Sequence, residues 1–284
     1  MIKNDNINLN FHSTFSPDFD YITKILEIAD DCEGLTKEEI SEITGIPTGK
    51  SSGKVEPHIM YSKYMNLIEF EKNNGRYKIY TTDLGKVIKE EDLYFLEYIS
   101  KLVCNYFLTS KTGGATLWNL IFRDMPQKCG DNIKESLILR EIEERFNCTT
   151  RISAFKSCYK NQKSLASLNL IYFDENSDKS NNIKFNKNIY DEDSIYVYAY
   201  TLIKDLERLD KDRKEFTIDE IIEKIAWNRG FCWDEKLTLM VFEKLNDMNI
   251  ITLNRQLNPI TLIINKSSES IVNELYSLIL SVII

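Results

Sequence analysis

Seven residues, Gly45-Ile46-Pro47-Thr48-Gly49-Lys50-Ser51, come close to G-x-x-x-x-G-K-[ST], the loop whose amides and lysine cradle the phosphates of a nucleotide. The spacing fails by one residue, because the position that needs the first glycine holds Thr44. The setting fails as well. A phosphate loop follows a buried strand and opens a helix, so that amides and helix dipole face the ligand. Here the preceding residues, Thr36 to Thr44, have the spacing of a short amphipathic helix.

What remains is a helix, a Gly/Pro turn and a second helix from about Gly53 to Asn66. Two strand-like stretches follow, Leu67–Glu71 and Arg76–Thr81, around Asn73-Asn74-Gly75. That order predicts a winged helix-turn-helix, in which the second helix enters the major groove and the hairpin touches phosphates or the minor groove. The DNA-facing candidates are Lys50, Ser51, Ser52 and Lys54 in the turn and helix start, His58, Ser62 and Lys63 on the helix, and Arg76 and Lys78 on the hairpin. Lys50 and Lys54 flank a helix N-terminus, a natural seat for phosphate. Pro57 falls in the first turn, where a missing N–H is tolerated. Met60, Tyr64 and Leu67 form the expected inward stripe. Such modules also dock proteins, and the first helix, with Glu38, Glu39 and Glu42, is poorly suited to approach phosphate.

Catalytic constellations are sparse. Asp30-Asp31, Glu90-Glu91-Asp92, Glu141/Glu143/Glu144 and Asp191-Glu192-Asp193 read as solvated helix faces or ends. Asp234-Glu235-Lys236 has the acid-x-lysine order of some nucleases but falls on a predicted helix rather than a strand. His12, near Asp18 and Asp20, is the one cluster whose imidazole could titrate near neutral pH, and it is the candidate catalytic residue. The six cysteines are scattered without a C-x-x-C pair, and only two histidines are present, which argues against structural zinc. Reduced, mostly buried thiols are expected.

Positioning these residues requires a sizeable core, and 284 residues at 43% hydrophobic supply one for one to three domains. The net charge of −8 confines any nucleic-acid site to a local basic patch and suits docking on basic proteins. No apolar run reaches the roughly 20 residues of a membrane span, and the opening residues lack a signal peptide's apolar stretch. A cytoplasmic protein whose apolar end, Leu275–Ile284, docks in the core is expected.

The first module has an echo. Leu35-Thr36-Lys37-Glu38-Glu39-Ile40 holds a capping box (Thr36, Glu39) and a staple (Leu35, Ile40), and Phe216-Thr217-Ile218-Asp219-Glu220-Ile221 repeats both. Each copy runs into a second helix, an exit (Met65-Asn66-Leu67-Ile68; Met248-Asn249-Ile250-Ile251) and two strands, the later pair Ile250–Leu253 and Ile260–Ile264. Between them Glu91–Thr109, Thr116–Met125, Ile133–Phe146 and Thr150–Lys160 have helical periods. Leu168–Phe173 reads as a strand, Asp174–Asn188 as a polar excursion, and a long helix starts after Asp191–Ser194 and runs to about Leu209. The reading is therefore mainly α with small β-hairpins, an α+β class. Residues 1–90 and 191–284 form two winged-helix-like units, and 91–190 a helical middle region. The aromatic loop Trp227–Trp233 packs a junction or, less commonly, stacks on bases.

Several short motifs together resemble a bacterial family first catalogued as a domain of unknown function. They are Phe11-His12-Ser13-Thr14-Phe15, Gly49-Lys50 with Tyr61, Ala115-Thr116-Leu117-Trp118, and Cys148–Phe173 with its Ser164–Ile171 run. Ser13, Ala166 and Asn169 stand where the family favours Glu, Pro and Gly. Genes of that family lie beside those for DNA phosphorothioation, and the DNA-nicking component of one such system is similar to it. The resemblance implies a DNA-binding or nicking subunit in DNA sulfur modification and phage defence, with double-stranded DNA and other subunits of the complex as partners. A nickase would take Mg²⁺ or Mn²⁺. The alternatives are a non-enzymatic adaptor that docks partner proteins, and a transcriptional regulator.

Overall fold

The computed structural model describes residues 9–31, 34–49, 53–175, 181–256 and 258–280. The chain opens with α1 (Phe19–Ile28), β1 (Leu35–Thr36), α2 (Lys37–Thr44), α3 (Val55–Tyr64), β2 (Ile68–Asn73) and β3 (Arg76–Thr81). α4 (Asp83–Glu91), α5 (Tyr98–Leu108), α6 (Thr116–Asn119) and α7 (Met125–Cys129) follow, α6 and α7 being joined by a widened helical turn, Leu120–Asp124. The middle continues with β4 (Asn132–Lys134), α8 (Glu135–Phe146), α9 (Ser153–Lys160), β5 (Ile171–Glu175) and β6 (Asn181–Phe185). The last part holds α10 (Ile195–Leu209), β7 (Glu215–Thr217), a widened turn of helix at Glu220–Ile225, α11 (Glu235–Asp247), β8 (Ile251–Asn254), β9 (Thr261–Ile264), α12 (Ser268–Val272) and α13 (Ser277–Leu280). The fold class is α+β, as expected.

Among the described residues three small antiparallel sheets share one topology, with orders β1-β3-β2, β4-β6-β5 and β7-β9-β8. In each, a strand is followed by two or three helical segments and a hairpin, and the first strand pairs with the last. The sequence pattern predicts this order twice. Its third occurrence corrects the middle region: the polar excursion Asp174–Asn188 contains β6, which pairs with both β4 and β5. These strands carry little sequence signal. β4 is three residues with Ile133 as its one apolar side chain, and β6 opens on two asparagines.

Both capping boxes form. The Thr36 amide donates to Glu39 Oε2 at 2.7 Å and the Glu39 amide returns to Thr36 Oγ1 at 3.2 Å. Thr217 and Glu220 do the same at 3.1 Å each way. Arg76 braces Glu39 and Arg213 braces Glu220, and Arg213 heads the causes that hold the Glu220 carboxyl down to about 2.

Two boundaries differ from expectation. The helix expected from Glu91 starts at Tyr98, because the Asp92 carboxylate takes the Leu96 and Glu97 amides at 2.8 and 2.9 Å and folds 92–97 into a closed turn. The strand expected from Leu168 starts at Ile171, after a tight turn at Ala166–Leu168 that ends on Asn169 at φ 52°. One apolar cluster runs through all three strand–helix–helix–hairpin units and takes in Leu275 and Tyr276 near the chain end. Among the described residues no helix is long and apolar enough to cross a membrane.

Candidate functional site

The Phe11–Phe15 motif forms a loop rather than part of a helix. Ser13 and Thr14 both lie in the left-handed region, at φ 47° and 83°, a conformation that is strained for a β-branched residue such as Thr14. The loop is held from beneath. His12 Nδ1 accepts the Thr14 amide at 3.0 Å, which places the neutral ring's hydrogen on Nε2. Tyr61 Oη donates to the Phe15 carbonyl at 2.8 Å, and the Asp18 amide donates to His58 Nε2 at 3.1 Å. His58 Nδ1 in turn donates to the Lys54 carbonyl at 2.7 Å, joining the starts of α1 and α3.

The motifs behind the family resemblance meet here. Trp118 lies 5.6 Å, centroid to centroid, from Phe11, His12 and Tyr61, and 5.8 Å from Phe155. The Lys163 carbonyl accepts the Phe19 amide at 2.9 Å. Four motifs that are weak one by one build a single patch under the loop.

Above the patch a cleft of about 350 Å³ opens between Ser13–Phe15 and the start of α3, lined also by Lys37, Thr48, Gly49, Gly53 and Val55–Pro57. α3 follows Lys54 without a side-chain cap, so among the described residues the amides of Val55 and Glu56, two residues that line the cleft, have no side-chain capping acceptor. Gly53 is required there: a Cβ would lie 2.6 Å from the Gly49 carbonyl oxygen. Lys54 Nζ sits 5.4 Å above the Phe15 ring and 5.2 Å above Tyr21, and Lys24 lies 5.9 Å above the same tyrosine. Neither lysine makes an ion pair among the described residues. Glu56 is tied to Tyr77 Oη, whose hydrogen bond leads in lowering its pKa, and to Lys72 at 2.9 Å. The cleft thus offers amide donors and cations beside a carboxylate already engaged, a setting for an anionic oxygen.

The sequence candidates are sorted by this geometry. Lys54 lies between the cleft-lining Gly53 and Val55 and reaches over Phe15; Lys50, Ser51 and Ser52 lie outside the described residues. His58 and Ser62, expected to face DNA, are turned inward at 1% and 0% exposure. Apolar residues fall all round α3, so periodicity left its phase open, and the inward stripe is His58, Ile59, Tyr61 and Ser62 rather than Met60 and Tyr64. Lys63 pairs with Glu69 at 3.3 Å, and Arg76 is engaged by Glu39 and the Gly34 carbonyl. Lys78 lies 5.3 Å above the Tyr80 ring. His12 is 3% exposed, and burial, set against a smaller opposing pull from the Leu9 backbone, lowers its pKa to about 4. Its Nδ1 holds the Thr14 amide, and His12 is not among the residues that line the cleft.

Lys24, Lys37 and Tyr21 were not anticipated. Asp18 as a cap, then Phe19, Ile22 and Leu26 at helical spacing, is the signal for α1 that places Tyr21 and Lys24, whereas Lys37 opens α2 after the Thr36 cap.

Trp227, Phe231 and Trp233 are at most 1% exposed and pack together, which removes base stacking from that loop. Asp234 caps α11 by accepting the Leu237 amide at 2.8 Å. Among the described residues no three His, Cys, Asp or Glu side chains are grouped to hold a metal ion. The described donor set therefore does not fit a preformed divalent site.

Among solved structures the fold is similar to that of SspB. A magnesium ion-bound SspB crystal structure matches with a TM-score of 0.72 at 14% identity, over 95% of this chain and 86% of that one. An SspB crystal structure matches with a TM-score of 0.70 at 15% identity and the same coverage. No family model and no curated protein sequence matches the chain. At this identity the likeness is one of fold.

Proposed function

We propose that the protein is a cytoplasmic, double-stranded-DNA-binding subunit of a DNA phosphorothioation and phage-defence complex. In this reading the first strand–helix–helix–hairpin unit is a winged helix, and a DNA phosphate sits at the start of α3. The observation that carries it is the cleft beside the uncapped α3 N-terminus, where Lys54 has no carboxylate partner among the described residues. The SspB-like fold and the sequence resemblance to a phosphorothioation-linked family support the same reading. We further propose that 91–190, like 1–90 and 191–284, is a unit built around one of the three sheets.

Fluorescence anisotropy with a duplex at several salt concentrations tests it. A Lys50→Ala/Lys54→Ala variant is expected to bind more weakly at low salt, with the log–log salt slope reduced by roughly 1 for each phosphate no longer neutralised. Parent-like affinity and slope would remove the cleft as the DNA site. Because one SspB structure is magnesium-bound, the same preparations are assayed on supercoiled plasmid with Mg²⁺ or Mn²⁺. Metal-dependent open-circle product would extend the reading to a nickase, and its absence would leave a binding subunit.

A further inference from the structure

The turn between α4 and α5 combines features that a structural turn does not need. Tyr94 and Leu96 are 67% and 77% exposed, the two most exposed large apolar side chains among the described residues. Phe95 between them is 1% exposed and held at φ 54°, a left-handed conformation that is an outlier for a bulky residue. Its ring packs 4.5 Å from Phe19, and this inward anchor leaves its two neighbours outside. The backbone is tied on every side. Asp92 accepts the Leu96 and Glu97 amides and the Ser100 hydroxyl, the last at 2.5 Å. Thr23 Oγ1 donates to the Leu93 carbonyl at 2.7 Å. The two side chains are therefore presented by a rigid turn and carry little backbone-ordering cost into a complex.

The charged side chains of Glu90–Glu97 are all acidic. Glu90, Glu91 and Glu97 are exposed, and none makes an ion pair among the described residues. Lys89 points away, to the Ala29 carbonyl at 3.4 Å. Glu90 and Glu91 also end α4, where the helix dipole disfavours anions. A strained phenylalanine, two exposed apolar side chains and misplaced acids in eight residues are local conflicts of the kind that mark a functional surface.

We propose that Glu90–Glu97 is a docking knob for a partner protein whose apolar socket is rimmed by lysine and arginine. The apolar pair supplies the binding energy and the acidic collar selects the partner and excludes nucleic acid, whose phosphates it repels. This surface is independent of the cleft at α3, so either assignment can fail alone.

The test takes the full-length chain and each protein encoded by the genes flanking its own, purified separately, with Kd measured by calorimetry at two salt concentrations. A Tyr94→Ser/Leu96→Ser variant is expected to weaken the one complex that forms by about 100-fold. Glu90→Lys/Glu91→Lys/Glu97→Lys is expected to weaken it mainly at low salt and to flatten its salt dependence. Tyr94→Ser/Leu96→Ser should keep the parent's melting temperature and DNA affinity, while the charge reversal should keep the fold and bind DNA more tightly at low salt. Complex formation within about twofold of the parent, or no complex with any flanking product, would overturn the proposal. So would a dimer of this chain that dissociates on the same substitutions, because the socket would then belong to a second copy.

Discussion

Both histidines of the chain are buried beside the Phe11–Asp18 loop and are neutral in the fold. Burial is the main cause that lowers each from 6.5 to about 4; for His58 the bond to the Lys54 carbonyl opposes it and the Lys54 charge adds to it. The folded values lie below the unfolded ones, so the unfolded chain binds more protons between about pH 4 and pH 6.5. Their stabilisation is complete above that window and is lost as pH falls through it, by at most about 3 kcal/mol per ring. Asp18, whose carboxyl burial raises, works the other way at the low end. Urea midpoints are therefore expected to fall on acidification from about pH 7 to about pH 4, and to fall less steeply in His58→Gln, which begins less stable. Equal slopes in parent and variant would remove His58 from this account. Gly230 is a second single-residue case. A Cβ there would stand 2.6 Å from Tyr106 Cδ2 and 2.8 Å from Arg123 Nη2, in a fully buried setting. Gly230→Ala is expected to cost about 2 to 3 kcal/mol in urea unfolding, and a cost below about 0.5 kcal/mol would mean that the ring gives way freely.

The helix starts are where sequence spoke most plainly. Thr36 with Glu39, and Thr217 with Glu220, could be paired from spacing alone because a capping box is local and its two bonds are reciprocal. Thr36→Ala and Thr217→Ala are each expected to destabilise by about 1 kcal/mol, read as a shift in urea midpoint at constant m-value. Effects differing widely between the two would show that the units do not share the device. What the sequence could not convey was long-range. β1, β4 and β7 are two or three residues long and exist because β3, β6 and β9 offer an edge to each. The Arg76–Glu39 brace spans 37 positions, and no local rule distinguishes that arginine from a hairpin arginine free to meet phosphate. The phase of α3 was equally hidden, since its apolar residues lie on every side and tertiary packing with the His12 loop chose among them. Of the site, the lysine at the helix start was legible; the strained loop that forms the other wall was a motif without a shape.

At the scale of the molecule, three units of one topology have to be joined, and the joint is polar. Arg123 is fully buried without a carboxylate partner among the described residues. Its Nη2 donates to the Tyr106 carbonyl at 3.0 Å and Thr109 Oγ1 at 3.3 Å; its Nη1 donates to the Ala226 and Ile225 carbonyls at 3.0 and 3.4 Å. Those last two carbonyls close the Glu220–Ile225 turn of the third unit, where a helix end carries partial negative charge. The Tyr106 ring lies 4.4 Å under the guanidinium, and its hydroxyl donates at 2.6 Å to Asp205, a fully buried carboxylate on α10. Asp205 also accepts from Ser110 and Thr112. One network thus ties α5, the α6–α7 segment, α10 and the third unit. Arg123→Met keeps much of the volume but removes four buried hydrogen bonds on two sides of the joint, and it is expected to cost about 3 kcal/mol. Because the damage falls between units, the shape of the transition should change as well as its midpoint. Scanning calorimetry of the parent is expected to give one transition with equal calorimetric and van't Hoff enthalpies. In Arg123→Met the third unit is expected to melt first, as a separate low-temperature shoulder. A single transition lowered as a whole would mean that apolar packing alone couples the units and that the buried network adds stability without joining them.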